Sequence, residues 1–430
     1  MTSMTTPRPQ STRSIVEASL RRRNRRERLF RMLGIAATLV GVCFLLFFFW
    51  TLGAEGASAF RQTYIEIEVD FDAELLAPGG ELDLEYADFD AVARNALRKY
   101  FPDVSGRSNR RELNRLISVG AGYQIRDALA ANPDLLGESL VMTVPAAANV
   151  DMVVKGNIDP NVPEAQRPIS DQQLEWIDHL LASDKLRTQF NTALFVNGDS
   201  REPELAGIRG ALMGSFYMLL ITVGISFPVG AAAAIYLEEF APRNRWADLI
   251  EVNINNLAAV PSIVFGLLGL AVFINWLAIP RSAPLVGGLV LSLLTLPVII
   301  IASRAAIKAV PPSIREAALG LGASNMQVVF HHVLPLAMPG MLTGTIIGMS
   351  RALGESAPLL MIGMVAFIVD VPAGFFDPAT ALPVQVYLWA DSPERAFAER
   401  TSAAIIILLG FLLVMNLAAV IIRRKVERNW

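Results

Sequence analysis

Residues 311–335 read PPSIREAALGLGASNMQVVFHHVLP, and long apolar runs flank them on both sides. Pro311 and Pro312 are expected to end the helix before them, since proline cannot continue a helix and constrains the residue that precedes it. Ser313-Ile314-Arg315-Glu316 fits a capping box, and Ser324-Asn325-Met326-Gln327 fits a second one eleven residues later. Gly320-Leu321-Gly322 lies between them and can close one helix and turn the chain sharply. The stretch therefore predicts two short helices joined at a glycine corner. Ala317 and Ala318 would give the first a smooth face, and Pro335 would open the next long helix. One reading is an ordinary hairpin in which Glu316 only caps. The other is a docking element, because an exposed loop has no general need for an Ala-Ala-x-Gly-x-Gly face between two capped helices.

The flanks settle the broad class. The chain has 430 residues, 53% hydrophobic and 18% charged, against about 25% charged in soluble domains. A bilayer span needs about 20 apolar residues. Uncharged runs of that order occupy 32–52, 211–237, 252–280, 282–303 and 401–422. A sixth, 332–350, continues past Arg351, Glu355 and Pro358 to residue 369. Continuous runs exclude a β-barrel, so the expected fold is an all-α polytopic membrane protein with six transmembrane helices. Cys43 is the single cysteine, which rules out an intrachain disulfide or a cysteine-based zinc site. His331 and His332 point different ways on a helix, which argues against a metal site, and none is expected.

Residues 1–31 hold nine arginines and two acids. They read as a basic anchor against the inner face of a lipid bilayer rather than as a nucleic-acid-binding arm. The first apolar run lacks an obvious small-residue cleavage site and is expected to be retained. Residues 57–205 differ in kind, with 14 lysines and arginines against 25 acids. Residues 65–72 alternate apolar and acidic and predict a half-buried strand. Residues 86–101 and 171–190 predict amphipathic helices, and 139–154 and 192–196 further strands. This is expected to be an α+β domain on the extracytoplasmic side. Arg243, Arg245, Arg304, Lys308, Arg315 and the run Arg423-Arg424-Lys425 fall on the opposite, cytoplasmic side, together with both termini.

Glu316-Ala317-Ala318, Gly322 and His332-Val333-Leu334-Pro335, at their spacing, resemble the EAA loop of ABC importer permeases. In that family the loop forms coupling helices that sit in a groove of the ATPase subunit. The resemblance implies ATPase coupling through Glu316, Ala317, Ala318, Gly320, Gly322 and Ala323. His332 departs from it, standing where the family usually has isoleucine. Phe227-Pro228-Val229-Gly230, the run IYLEEF at 235–240, PSIVFG at 261–266 and RALGESAP at 351–358 resemble phosphate importer permeases of the PstA type, over roughly residues 207–424. The fold implied is the ABC type I importer permease. The chain would divide into a basic cytoplasmic segment 1–31, a transmembrane helix 32–56, the extracytoplasmic domain 57–205, a permease core 206–424 and a cytoplasmic tail 425–430.

Arg351 and Glu355 carry the substrate question. A charge at mid-bilayer costs about 2.5–3.5 kcal/mol on insertion scales, and two residues four apart share a helix face. They form either an ion pair that cancels this cost or part of an anion path, flanked by Ser350 and Ser356. An arginine fork suits phosphate oxygens, a glutamate beside it could weaken or latch the site, and the family implicates the same pair in the pathway. Ser262, Ser303, Thr343 and Thr345 either line a path or pack helices. Arg304 is expected to snorkel to the interface. None of the five lysines follows a glycine, so the chain lacks the Walker A loop. It is expected to bind no cofactor itself and to be no enzyme, with ATP-Mg on a separate ABC ATPase dimer. A second homologous permease and an extracytoplasmic phosphate-binding protein are the other expected partners, in the inner membrane. Another oxyanion, such as phosphonate or molybdate, and a membrane sensor are the alternatives.

Overall fold

The computed structural model describes residues 12–76, 82–242, 244–365 and 367–426. Arg243, the first eleven residues and the end of the tail, read above for their charge, lie outside the described residues, as do the side chains of Arg21 and Arg22. The chain forms two units, Met1–Ala54 and Glu55–Trp430. The first is essentially the helix that begins at Thr12 and ends at Gly56, and its apolar side chains from Met32 to Trp50 are exposed. That suits a helix whose solvent is lipid.

The second unit opens with a three-stranded antiparallel sheet in the order β2-β1-β3, made of Ser139–Pro145, Arg61–Asp70 and Leu186–Phe190. The alternation read at 65–72 is real: Ile65, Ile67 and Val69 are fully buried. They pack on Leu97 of the helix Phe89–Arg98, Ile125 of Gly120–Ala131 and Ile177 of Asp171–Ala182. Three expectations need correction. The strand expected over 139–154 stops at Pro145, which has no N–H for the ladder, and residues 148–154 turn helical. The helix expected over 171–190 ends at Ala182. Asp184 adopts φ 55, and the chain reverses into β3. Residues 193–196 form a helical turn instead of a strand, capped by the Asn191 side chain, which accepts from the Leu194 N–H at 3.1 Å.

Among the described residues five helices are long and apolar enough to cross a membrane: Arg23–Phe60, Arg209–Phe240, Pro284–Lys308, Asn325–Gly354 and Phe397–Lys425. The run 252–280, expected to be one straight span, is instead a pair, Arg245–Ala258 and Ser262–Trp276, bent by 100°. Pro261 sits at the break, where it cannot extend the first helix. Ahead of Phe397–Lys425 lies a short helix, Leu382–Ala390, with Leu382, Val384 and Trp389 buried.

The centre is built on close approach. Gly288 lies against Ile221, and a Cβ there would stand 2.6 Å from the Ile221 Cβ. Gly340, Gly344 and Gly348 recur every fourth residue and face Ala306, Ala302 and Ile299 of Pro284–Lys308. In lipid no hydrophobic effect separates helix from tail, so such contacts between small residues hold the bundle. A Cβ on Gly344 would meet the Ala302 Cβ at 2.2 Å, and neither atom can rotate away. Gly344→Ala is therefore expected to cost about 1–3 kcal/mol by overpacking, read as a lowered thermal midpoint of the detergent-purified chain, with Gly354→Ala, where the space is open, as the silent control.

Candidate functional site

The island at 311–335 folds around one corner. Its first helix is Pro312–Gly320, with Pro311 at the N-cap and no side-chain cap. The capping box expected at Ser313 therefore does not form, because the helix starts one residue before it. At the far end, the Gly322 N–H bonds the Leu319 carbonyl at 2.9 Å and the Ala323 N–H bonds the Ala318 carbonyl at 3.1 Å. This is a Schellman closure. Gly322 has φ +88 and supplies the left-handed residue, whereas Gly320 is still helical. The second capping box does form: Ser324 accepts from the Gln327 N–H, and Gln327 returns to the Ser324 N–H at 2.9 Å. The second helix is not a separate piece. It runs from Asn325 through a π-helical stretch, Val328–Val333, into Leu334–Gly354, so Pro335 opens nothing.

Ala317 and Ala318 do not share a face. Ala318 is buried against Val310, Val328 and Ala337, while Glu316, Ala317, Gly320 and Gly322 are exposed and Ala323 is half-buried. Leu321 is 90% exposed, and Leu319, Met326 and Phe330 are exposed with it. That many large apolar side chains on one polar-edged corner mark an interaction surface. A cleft of about 650 Å³ opens beside it, lined by Val310, Ile314, Ala317, Leu321 and His332.

Ion pairs fix this corner to the bundle. Arg315 Nη2 bonds Glu239 Oε1 at 2.7 Å and the Ile307 carbonyl at 3.0 Å, and its Nη1 bonds the Val310 carbonyl at 2.8 Å. Arg304 is held between two acids: its Nε bonds Glu238 Oε1 at 2.5 Å and its Nη2 bonds Glu251 Oε2 at 2.8 Å. Glu238 and Glu239 belong to the π-helical turn Tyr236–Phe240. The run IYLEEF at 235–240 thus supplies the acids that hold both arginines.

Arg351 occupies the last turn of Leu334–Gly354, and Glu355 stands just beyond it in extended conformation. They are not on one helix face, yet Arg351 Nε comes within 3.5 Å of Glu355 Oε1, with the side chains 43% and 20% exposed. The 261–266 and 351–358 stretches meet here: a Cβ on Gly266 would stand 2.7 Å from Pro358. Ser356 begins the short helix Ala357–Met361. Ser350 lies 2.8 Å from Asn416 Oδ1 of the last helix, and Thr343, Thr345 and Ser350 donate to carbonyls of their own helix four residues back.

A second cluster, with no sequence signal, joins the inserted segment to the start of the last helix, Phe397–Val426. Lys155 Nζ lies 2.5 Å from Asp151 Oδ2 and 2.9 Å from Glu399 Oε1, and all three side chains are at most 7% exposed. Glu399 also accepts from Asn157 Nδ2 at 2.8 Å and the Ser58 hydroxyl at 2.7 Å. Burial pushes the Asp151 carboxyl above its usual range, while Lys155 pulls it down. Next to it Arg400, 1% exposed, donates to Gln62 Oε1 at 2.6 Å.

Residues 226–428 match the family described as binding-protein-dependent transport system inner membrane component. Residues 17–164 match a domain of unknown function, DUF3333. A probable ABC transporter permease protein, YqgI of Bacillus subtilis (strain 168), is 34% identical over 50% of this chain and 76% of its own length. The chain belongs to this family of ABC transporter permeases. A phosphate transport system permease protein, PstA 1 of Mycobacterium tuberculosis (strain CDC 1551 / Oshkosh), is 31% identical over 52% of this chain and 72% of its own. A chain of the MetNI methionine ABC transporter in its inward-facing conformations is 21% identical, with a TM-score of 0.39, over 51% of this chain and 96% of that one.

For this permease two changes separate the two clusters. Gly322→Ala forces an L side chain into a left-handed turn at about 1–2 kcal/mol, and amide exchange over residues 318–327 should rise while the rest of the bundle stays protected. Lys155→Met leaves Asp151 and Glu399 as buried uncompensated charges, at about 3–5 kcal/mol. The thermal midpoint should fall, and the double variant Lys155→Met/Glu399→Gln should recover part of it.

Proposed function

We propose that the protein is the transmembrane permease subunit of an ATP-driven importer of inorganic phosphate, forming half of the translocation path. The reading rests above all on Arg351. It closes an otherwise apolar helix, its side chain is 43% exposed, and among the described residues its one acidic contact is 3.5 Å long, which leaves most of its donor fork for a tetrahedral oxyanion. The relatives named as phosphate transport permeases, among them that of Haemophilus influenzae at 29% identity, point to the same substrate. Glu355 then sets the strength of the site: a lone arginine would hold phosphate too firmly, and a carboxylate beside it competes for the guanidinium once the anion leaves. Ser350 and Ser356 flank the arginine.

The driving force enters at the island. Glu316, Ala317, Gly320 and Gly322 face outward with Leu319 and Leu321, which suits docking in a groove of a separate cytoplasmic ATPase that carries ATP-Mg. Arg315 ties the docked helix to the end of Arg209–Phe240 through Glu239, so movement of the island would be delivered to the bundle as a rigid displacement. An ATPase dimer has two docking grooves and this chain has one island, so it pairs with a second, homologous permease. A phosphate-binding protein delivers the anion from the side of the inserted segment. Both termini lie in the cytoplasm, on the evidence of the basic residues beside the first and last helices.

Radiolabelled phosphate uptake by Arg351→Gln in cells tests this. Uptake should fall to background while the complex purifies with its normal stoichiometry. Uptake at the wild-type rate would remove Arg351 from the path and with it the case for phosphate.

A further inference from the structure

Residues 188–198, TQFNTALFVNG, carry no charge, although residues 57–205 as a whole hold 14 lysines and arginines against 25 acids. The stretch finishes β3 and forms the helical turn Ala193–Val196. Three phenylalanine rings stack along it. Phe190 and Phe195 lie 5.9 Å apart between ring centres, with 7° between their planes, and Phe195 and Phe60 lie 6.0 Å apart, with 24°. Phe190 is 61% exposed, Phe195 40% and Val196 57%. Large apolar side chains gathered at one place on a charged surface mark a contact with a protein or a membrane. Because the rings already brace one another, a partner that covers them has little side-chain freedom to remove.

What covers the patch follows from its height on the bundle. Phe60 ends the turn Ser58–Phe60. The Ser58 hydroxyl bonds Glu399 Oε2 at 2.7 Å, and a Cβ on Gly56 would stand 3.1 Å from the Ala403 nitrogen. Ala59 and Leu194 join Ala211, Ala403 and Ala404 in one buried cluster. The helix Phe397–Val426 becomes free of charge at Thr401 and stays so to Ile422. Residues 399–404 therefore mark the level at which it enters hydrocarbon. Leu194 packs into the bundle at that level, while Phe195 and Val196, from the same turn, stay exposed. The medium around a bundle at this height is lipid. Arg61 is exposed and stands opposite Phe190 in the ladder, on the same face of the sheet. A guanidinium beside apolar rings suits the phosphates of lipid headgroups.

We propose that the inserted segment rests on the phospholipid surface through Phe190, Phe195 and Val196, with Phe60 bracing the rings and Arg61 at the headgroup phosphates. Aromatic side chains on the apolar face of a surface-lying element sink into the boundary between headgroups and acyl chains. The foot gives the segment a second attachment beside the buried Lys155–Glu399 pair, so that the segment is fixed against the bilayer as well as to the last helix.

Spin-label accessibility on the full chain in phospholipid nanodiscs tests this. A nitroxide is attached at Val196→Cys in a Cys43→Ala background, and relaxation by lipid-soluble oxygen is compared with relaxation by a water-soluble nickel chelate. The control is Val141→Cys on β2, 60% exposed. Val141 pairs with Glu68, seven residues along β1 from Arg61, which puts it about 20 Å from the patch. The oxygen-to-nickel ratio should be severalfold higher at residue 196 than at residue 141. Phe190→Asp, a change at an exposed position, should lower the ratio at residue 196 severalfold with an unchanged thermal midpoint. Equal ratios at the two sites would overturn the proposal, as would a ratio that Phe190→Asp leaves unchanged. A nitroxide at residue 196 shielded from both reagents would assign the patch to a protein neighbour and overturn it too.

Discussion

The contact on which the island depends is the ion pair between Arg315 and Glu239. The first island helix has nine residues, too short to hold itself in water, and it buries one side chain, Ala318. Arg315 compensates by bonding a carboxylate and two carbonyls at once. Those carbonyls, of Ile307 and Val310, belong to the end of Pro284–Lys308 and the turn after it; Ile307 also accepts from the Val310 N–H at 3.2 Å, and Arg315 takes up part of the acceptor capacity left at this helix terminus. One side chain thus satisfies the end of one membrane helix, grips the end of another and fixes the exposed corner to both. Arg304 repeats the device one turn deeper with Glu238 and Glu251. A lysine at either position would keep the charge and lose the fork.

Much of this was legible in the chain, for reasons that can be named. Apolar runs report spans because lipid offers the backbone no partners. β1 was legible because Ile65, Ile67 and Val69 alternate with acids on a half-buried sheet. Ser324 and Gln327 announced their capping box because that interaction is local. What failed was also physical. The bend at Pro261 leaves composition unchanged, so a count of apolar residues cannot find it. The π-helical continuation from Val328 to Leu334 hides Pro335 inside a helix, since a proline near a helix start loses only a bond that was already missing. Ser313 looked like a cap because its spacing to Glu316 was right, but Pro312 had already begun the helix.

The site was legible in parts. Arg351 stood out because a charge near the end of an apolar run is costly. Its distance from Glu355 did not follow, because the helix ends at Gly354 and the spacing of four no longer implies a shared face. The Lys155, Asp151 and Glu399 cluster was not legible as a unit: Asp151 and Lys155 are an ordinary pair four residues apart, and Glu399 lies 244 residues beyond Lys155. The GxxxG spacing of Gly340, Gly344 and Gly348 was readable in principle. The serines and threonines of the same helix do not mark a path by themselves, since Thr343, Thr345 and Ser350 bond carbonyls of their own helix.

The arginines beside and within the membrane helices separate by how their forks are used. Arg304 and Arg315 each engage two or more partners and are 12% and 23% exposed. A charge held that way is a fastener, because its attraction is already matched and little remains for a ligand. Arg400 is buried and bonds Gln62, beside the Lys155 cluster that secures the opposite end of the last helix. Arg351 alone among these four stays largely exposed, with one long contact to Glu355. Asn416 braces the same helix through Ser350, one residue before it, so the backbone that carries the free guanidinium is held while its side chain is not. The charges of Arg304 and Arg315 are matched by close partners, whereas Arg351 has a single long contact, to Glu355, and most of its fork stays unengaged.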